Sequence, residues 1–420
     1  DLDERLLELL DNNFSKAEID EIKKSLLTLT NDIIHPQGLY KEDLKKIEIL
    51  KERFGELEKS DLSTIKKIYW LTEDCKRYGT LPFAGVARAG FIAMQLLNSL
   101  VNLKIISIDE KNLFISSLNT IAKQISNDSK KLSSGDISLK QFLEDYGHLR
   151  PGTYDILSES YEENFYKYFD LDGNLAYKQD CEKKTFSFSP KQMRKIDDLL
   201  KMHSLNINAK EFLLFAKEAM EGREYAKYIF SKNISELLKL IKLHGERLGF
   251  STDDLSYLEI NTLLKLNSTI AVLDERKMIG DEIARNRTMY EFYKHLKLPY
   301  LITEPEDIYS FHISEIEPNY ITTNKTNGGI VLMRPDIKKA EIKGKIVLIE
   351  GADPGFDWIF SHNIRGLITA YGGSNSHMAI RAAELGVPAV IGCGPALFEK
   401  WGQAKKIEID CLNKKTTIIL

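Results

Sequence analysis

Gly366-Leu367-Ile368-Thr369-Ala370, followed by Gly372-Gly373-Ser374-Asn375-Ser376-His377-Met378-Ala379-Ile380, decides how the C-terminal part of the chain folds. The first five residues form a short apolar run bounded by glycine, the mark of a buried strand. The two glycines let the chain turn sharply and expose backbone N–H groups. Ser374, Asn375 and Ser376 are all good helix N-cap residues. The stretch therefore predicts strand, glycine turn and helix, with His377 in or near the first helical turn. That end of a helix carries unsatisfied donors and partial positive charge, which would stabilise a phosphoryl group on the imidazole. The same field disfavours imidazolium and leaves a neutral nucleophilic nitrogen, against a reference pKa of about 6.5. On spacing alone, a histidine that only caps or packs the turn fits equally well.

Working outward, further apolar runs bounded by glycine and turn residues surround this core. They are Gly329–Leu332, Lys345–Ile349 and Pro388–Gly392, with Lys406–Asp410 and Thr416–Leu420 as a closing pair around Leu412-Asn413-Lys414. Together they predict a compact α/β domain over residues 325–420. Residues 1–310 read as mostly helical, and 311–324 as a linker. Phe230, Ile234, Leu237, Leu238 and Ile241 form one amphipathic face. Ser251 and Asp253 mark a helix start, and 262–298 reads as one long helical run that stops before Pro299. Thr185–Ser189 alternates like a short strand. The fold class is thus multidomain α plus α/β, a largely helical part followed by a compact α/β domain.

Bulk properties set outer bounds. A hydrophobic share of 43 % and a charged share of 29 % are ordinary for a soluble globular protein. A net charge of −4 gives no reason to expect nucleic-acid or membrane partners, and no stretch reads as a membrane span or signal peptide. Cys75, Cys181, Cys393 and Cys411 form no CxxC pair, which argues against a disulfide framework or zinc site and fits a reducing cytoplasm. The remaining histidines show no metal-ligand spacing, and there is no Walker P-loop.

A second informative run is Tyr146-Gly147-His148-Leu149-Arg150-Pro151-Gly152-Thr153-Tyr154-Asp155. Its His, Arg, Tyr and Asp side chains could converge on a polar ligand, with the guanidinium suited to carboxylate or phosphate oxygens. A loop whose polar groups satisfy buried backbone is an equal alternative.

The segment around His377, with Ala383-Glu384-Leu385-Gly386-Val387-Pro388-Ala389-Val390 after it and Asp353-Pro354 before it, resembles the phosphohistidine swivelling domain of the phosphoenolpyruvate-utilising enzymes. Met378, Arg381 and Ala383 depart from the family pattern, which usually has a small residue, an aliphatic and an arginine there. The Tyr146–Asp155 run, and more weakly the surroundings of Arg88 and Arg223, resemble the helical middle domain of the rifampin phosphotransferase-like members. For Arg88 and Arg223 the resemblance implies phosphate or carboxylate binding; an ion pair within a helical bundle is the competing reading, and the better one for Arg223.

The resemblance implies His377 as the phosphoryl carrier, with Gly372, Gly373, Ser374, Asn375 and Ser376 cradling the phosphate. It further implies Tyr146, His148, Arg150, Tyr154, Asp155, Arg88 and Arg223 at the acceptor site. ATP and Mg²⁺ are expected as cofactors, held mainly by an N-terminal ATP-grasp domain of the same enzyme that lies outside this sequence, which opens on Asp1. A small-molecule acceptor is the other expected partner. The layout and local likenesses point to the glutamine kinases of bacterial capsular phosphoramidate synthesis, and so to the amide of L-glutamine. A rifamycin-type antibiotic acceptor, or a non-catalytic phosphocarrier module, is the alternative.

Overall fold

The computed structural model describes residues 6, 8–169, 187–268, 274–296, 298–299, 301–309, 317–333, 339–352, 354–374 and 376–419. Asn375, Asp353, Cys181, the first two residues of the alternating run 185–189, and 311–316 of the expected linker lie outside them. Compactness divides the chain into two units. One comprises Asp1–Gly55, Asp74–Ile121 and Cys181–Phe230; the other comprises Glu56–Glu73, Ala122–Asp180 and Ser231–Leu420. The expected boundaries follow chain order, whereas compactness groups segments 56–73, 122–180 and 231–310 with the sheet.

The first unit is helical. Several of its helices begin with a serine whose hydroxyl and a Glu or Gln three residues on satisfy orphan donors reciprocally, as at Ser15/Glu18, Ser107/Glu110 and Ser189/Gln192. Ala89, Ala93 and Leu97 of helix Leu81–Asn102 pack with Phe212, Phe215 and Ala216 of helix Ala209–Arg247. Thr64–Asn102 contains a window long and apolar enough to cross a membrane by length and composition, contrary to the expectation of no such stretch. Val86, Ala89, Ala93 and Leu97 on that stretch are fully buried within the protein, whereas Leu81 and Phe91 are exposed.

In the helical part of the second unit, Phe142, Tyr146, Tyr161, Phe165, Tyr168 and Phe169 form a cluster of rings 5.0–5.9 Å apart, tilted or edge-on except for the stacked Phe165–Phe169 pair. The run 262–298 is not one helix. It divides into Ile260–Ser268 and Glu275–Tyr293, the second opened by Asp274, whose carboxylate accepts from Lys277 N–H. Side-chain capping of this kind ends one helical register and starts another.

The rest of the unit is built on a sheet. Among the described residues its strands are β1 (Asn319–Ile321), β2 (Lys325–Leu332), β3 (Ile346–Gly351), β4 (Gly366–Tyr371), β5 (Ala389–Ile391), β6 (Lys406–Asp410) and β7 (Lys415–Ile419). Their order is β1-β5-β4-β3-β2-β6-β7. The four central strands are parallel; β1 pairs antiparallel with β5 on one side, β6 antiparallel with β2 on the other, and β7 antiparallel with β6. Ile346–Ile349 and Gly366–Ala370 are continuously buried, as expected for parallel strands covered on both faces. β1 falls inside the segment 311–324 expected as linker; pairing with β5 supplies its backbone with partners.

The strand ends set up a tight crossing. Gly392, just after β5, has φ +68°, and a Cβ there would lie 2.2 Å from the carbonyl oxygen of Gly372, just after β4. Neither backbone can yield without disturbing the sheet. Gly392→Ala is expected to cost about 1–3 kcal/mol, read as a lowered denaturation midpoint followed by tryptophan fluorescence; an unchanged midpoint would contradict the tight crossing.

Candidate functional site

β4 delivers the chain to Gly372, which takes φ +125°. Gly372, Gly373 and Ser374 are exposed on the turn. Ser376 donates its N–H to the Gly373 carbonyl, and its hydroxyl accepts from Ala379 N–H at 3.3 Å as the N-cap. Ser374 does not fill that role. His377 is the first residue of helix His377–Glu384, where the sequence placed it. Met378, Ala379 and Ala382 are buried and Ala383 is exposed.

Sequence reasoning missed Asp357. It lies on the 3-10 turn Pro354–His362, which follows β3. Its Oδ1 sits 3.2 Å from Nε2 of His377 and accepts from Nε of Arg381 at 2.8 Å. All three side chains are buried: 8 % exposed for His377, 4 % for Asp357 and 3 % for Arg381. Burial alone would raise the Asp357 pKa. The Arg381 charge and the hydrogen bonds from His377 and Arg381 outweigh it and hold the carboxyl below its ordinary 3.8. The helix end is therefore not the sole field on the imidazole, as the sequence led one to expect: a carboxylate faces Nε2. A signal existed in the sequence, since Asp357 is the one charge within Phe356-Asp357-Trp358-Ile359-Phe360. A lone acid in an apolar run is costly to bury unless a cation meets it.

In the second unit Tyr146 ends helix Leu139–Tyr146, and His148, Arg150, Tyr154 and Asp155 lie on the loop after it; Arg88 and Arg223 belong to the first unit. Tyr146 is buried and donates to Asp128 at 2.8 Å. Arg150 is buried as well; it donates to the Ser158 carbonyl at 2.9 Å and to the Ser235 hydroxyl at 2.8 Å, with Glu163 at 3.8 Å. These two side chains hold the loop together, the alternative that the sequence left open. His148 is half-buried; Tyr154 is exposed, and exposed Asp155 accepts from Leu157 N–H. Arg223 pairs with Glu224 at 3.0 Å and lies over the Phe91 ring, an ion pair within the helical bundle, while Arg88 is exposed. A cleft of about 450 Å³ in the first unit, lined by Phe188, Pro190, Met193, Asp197, Asn208 and Lys210, contains none of the expected acceptor residues.

The loop also touches the turn that carries Asp357. Tyr161 donates its hydroxyl to the Gly355 carbonyl at 3.2 Å, and the Tyr168 and Trp358 rings are 5.5 Å apart. A Cβ on Gly355 would come within 1.7 Å of the Arg150 carbonyl oxygen. One short turn thus contacts the expected acceptor loop and, through Asp357, His377. Among the described residues no three His, Cys, Asp or Glu side chains converge as a metal-binding set, so they offer Mg²⁺ no ligand cage.

Comparison with known proteins bears directly on this part of the chain. Residues 341–414 match the family described as PEP-utilising enzyme, mobile domain. The match contains Asp357, His377 and Arg381. Phosphoenolpyruvate synthase of Aquifex aeolicus is 35 % identical over 83 residues, 19 % of this chain and 10 % of that protein. Rifampicin phosphotransferase of Bacillus cereus is 27 % identical over 182 residues, 40 % of this chain and 20 % of that protein. The likeness to these relatives thus spans a fifth of their length or less. The likeness to PEP-utilising enzymes thus rests on residues 341–414 and on these partial matches.

Two outcomes follow from the buried carboxylate. Asp357→Asn leaves Arg381 buried without its counter-charge and is expected to cost about 3–5 kcal/mol, measured by chemical denaturation; a loss below about 1 kcal/mol would mean the pair is solvated. Because the folded-state pKa is lowered, the carboxylate stabilises fully above 3.8 and loses that contribution as pH falls through the lower folded value. The stability difference between the wild type and an Asp357→Asn/Arg381→Met double variant should therefore move against the wild type on acidification below 3.8. A pH-independent difference would contradict the assignment.

Proposed function

We propose that the chain is the carrier and acceptor portion of an ATP-dependent phosphotransferase, with His377 as the residue that carries the phosphoryl group. The observation that carries this reading is the position of His377, inside the matched mobile-domain segment and at the first residue of a serine-capped helix. Loading from ATP, with AMP and phosphate as coproducts, falls to an ATP-grasp domain outside this sequence, which also holds the nucleotide and Mg²⁺. Transfer then depends on positioning and charge stabilisation rather than on covalent work by the acceptor site. The imidazole is buried in this arrangement, so the reading requires the domain to move between a loading and a delivery station. The matched family's description as a mobile domain supports such motion.

The contacts of the turn Pro354–His362 with the loop of Arg150, Tyr161 and Tyr168 support that loop as part of the delivery station. The preferred acceptor is the amide of L-glutamine. A rifamycin hydroxyl is the second reading, favoured by the likeness to rifampicin phosphotransferase. The reading places the protein in the cytoplasm, where ATP is available.

The direct test is labelling of the full-length protein with [β-³²P]ATP. The wild type is expected to take up acid-labile label and His377→Ala to show only background. Equal labelling of the two would remove the carrier role. Discharge of the labelled protein by L-glutamine, by rifampicin or by neither then decides the acceptor.

A further inference from the structure

We propose that Arg381 binds the phosphoryl group once it is on His377. The inference rests on the carrier role of His377 and adds a second residue to the chemistry. His377 and Arg381 are four residues apart on one helix, so their side chains lie on the same face. Nε2 of His377 and Nε of Arg381 meet the same oxygen of Asp357, at 3.2 and 2.8 Å. The two nitrogens cannot be farther apart than those distances laid end to end. A phosphoryl group accepted at Nε2 takes the place of the Asp357 contact and meets the guanidinium that already borders it.

The charge balance calls for such a cation. For loading, the ring leaves the Asp357 contact and its proton passes through solvent from Nε2 to Nδ1; the freed Nε2 lone pair then forms the P–N bond as the P–O bond to the donor breaks. The electron pair of that bond stays on the donor oxygen, and the ring keeps its proton on Nδ1. The product sets a phosphoryl dianion beside the Asp357 carboxylate, in surroundings where both are shielded from water. Like charges at that range repel strongly in a medium of low dielectric. A guanidinium presents five N–H donors in a planar fork and bridges carboxylate and phosphate well. The turn Gly372–Ser374 is exposed and supplies only uncharged donors, backbone N–H groups and the Ser374 hydroxyl; among the described residues, Arg381 is a cation that shares the Asp357 oxygen with the ring.

The test uses the 420-residue chain and potassium phosphoramidate, which phosphorylates histidine without ATP. Phosphohistidine at position 377 is quantified by ³¹P NMR and mass spectrometry in the wild type, in Arg381→Met and in the Asp357→Asn/Arg381→Met double variant. Arg381→Met is expected to lower occupancy roughly ten-fold or more, the scale of losing one preorganised donor, and to move the ³¹P resonance. That variant leaves Asp357 buried without its counter-charge, so misfolding alone could lower its occupancy. The double variant removes both charges, and its circular dichroism should match the wild type. Occupancy that stays low in the folded double variant supports the inference. Recovery to the wild-type level would show that Arg381 only neutralises Asp357 and would overturn it, as would equal occupancy in Arg381→Met. A wild type that phosphoramidate loads but ATP does not, with the full-length protein, overturns the proposed function alone, and the variants still decide this inference. A wild type that never carries phosphate on His377 overturns both.

Discussion

A single carboxylate oxygen, Oδ1 of Asp357, receives a buried imidazole and a buried guanidinium. Three ionisable groups out of solvent are tolerable only as a set, because each alone would pay a desolvation cost that nothing offsets. The set fixes where the first helical turn after β4 sits, since His377 and Arg381 are both on that helix. It also fixes the 3-10 turn after β3, which carries Asp357. That turn in turn contacts the loop of Arg150, Tyr161 and Tyr168. The orientation of His377 is therefore not a local property of a glycine turn. It depends on a residue twenty positions earlier and on the packing behind that residue.

What the sequence conveyed follows from what local patterns encode. The parallel strands were legible because apolar runs between glycines have few other outcomes, and β3, β4 and β5 lie where the runs indicate. The place of His377 was legible because Ser376 is a good N-cap and glycines precede it. Asp357 was not, because its partner lies across a turn and no period links them. The helical run 262–298 looked continuous because periodicity alone does not register a capping aspartate such as Asp274. Polar residues on the Tyr146–Asp155 run were visible, but their use was not. Tyr146 and Arg150 spend their hydrogen bonds on Asp128, Ser158 and Ser235, contacts that no spacing rule anticipates.

A carrier histidine has two opposed requirements. It must be held in one orientation when a donor or acceptor presents phosphorus, and it must be reachable from both. Burial with Asp357 and Arg381 meets the first, and on the proposed reading movement of the domain that carries it would meet the second. The similarity of residues 341–414 to a mobile domain is consistent with that division of labour. The exposed turn Gly372–Ser374 is the part of the site that already faces solvent. Of the expected acceptor residues, Tyr154 and Asp155 remain outward-facing on the loop, whereas the buried Arg150 serves as its anchor.

The central claim is that this imidazole carries phosphorus. Site-localised tandem mass spectrometry of the full-length protein after brief exposure to ATP, under conditions that preserve phosphoramidate bonds, tests it most directly. Phosphate on the peptide containing His377 is the outcome the account requires. Phosphate on another of the eight histidines, or on none, would contradict it.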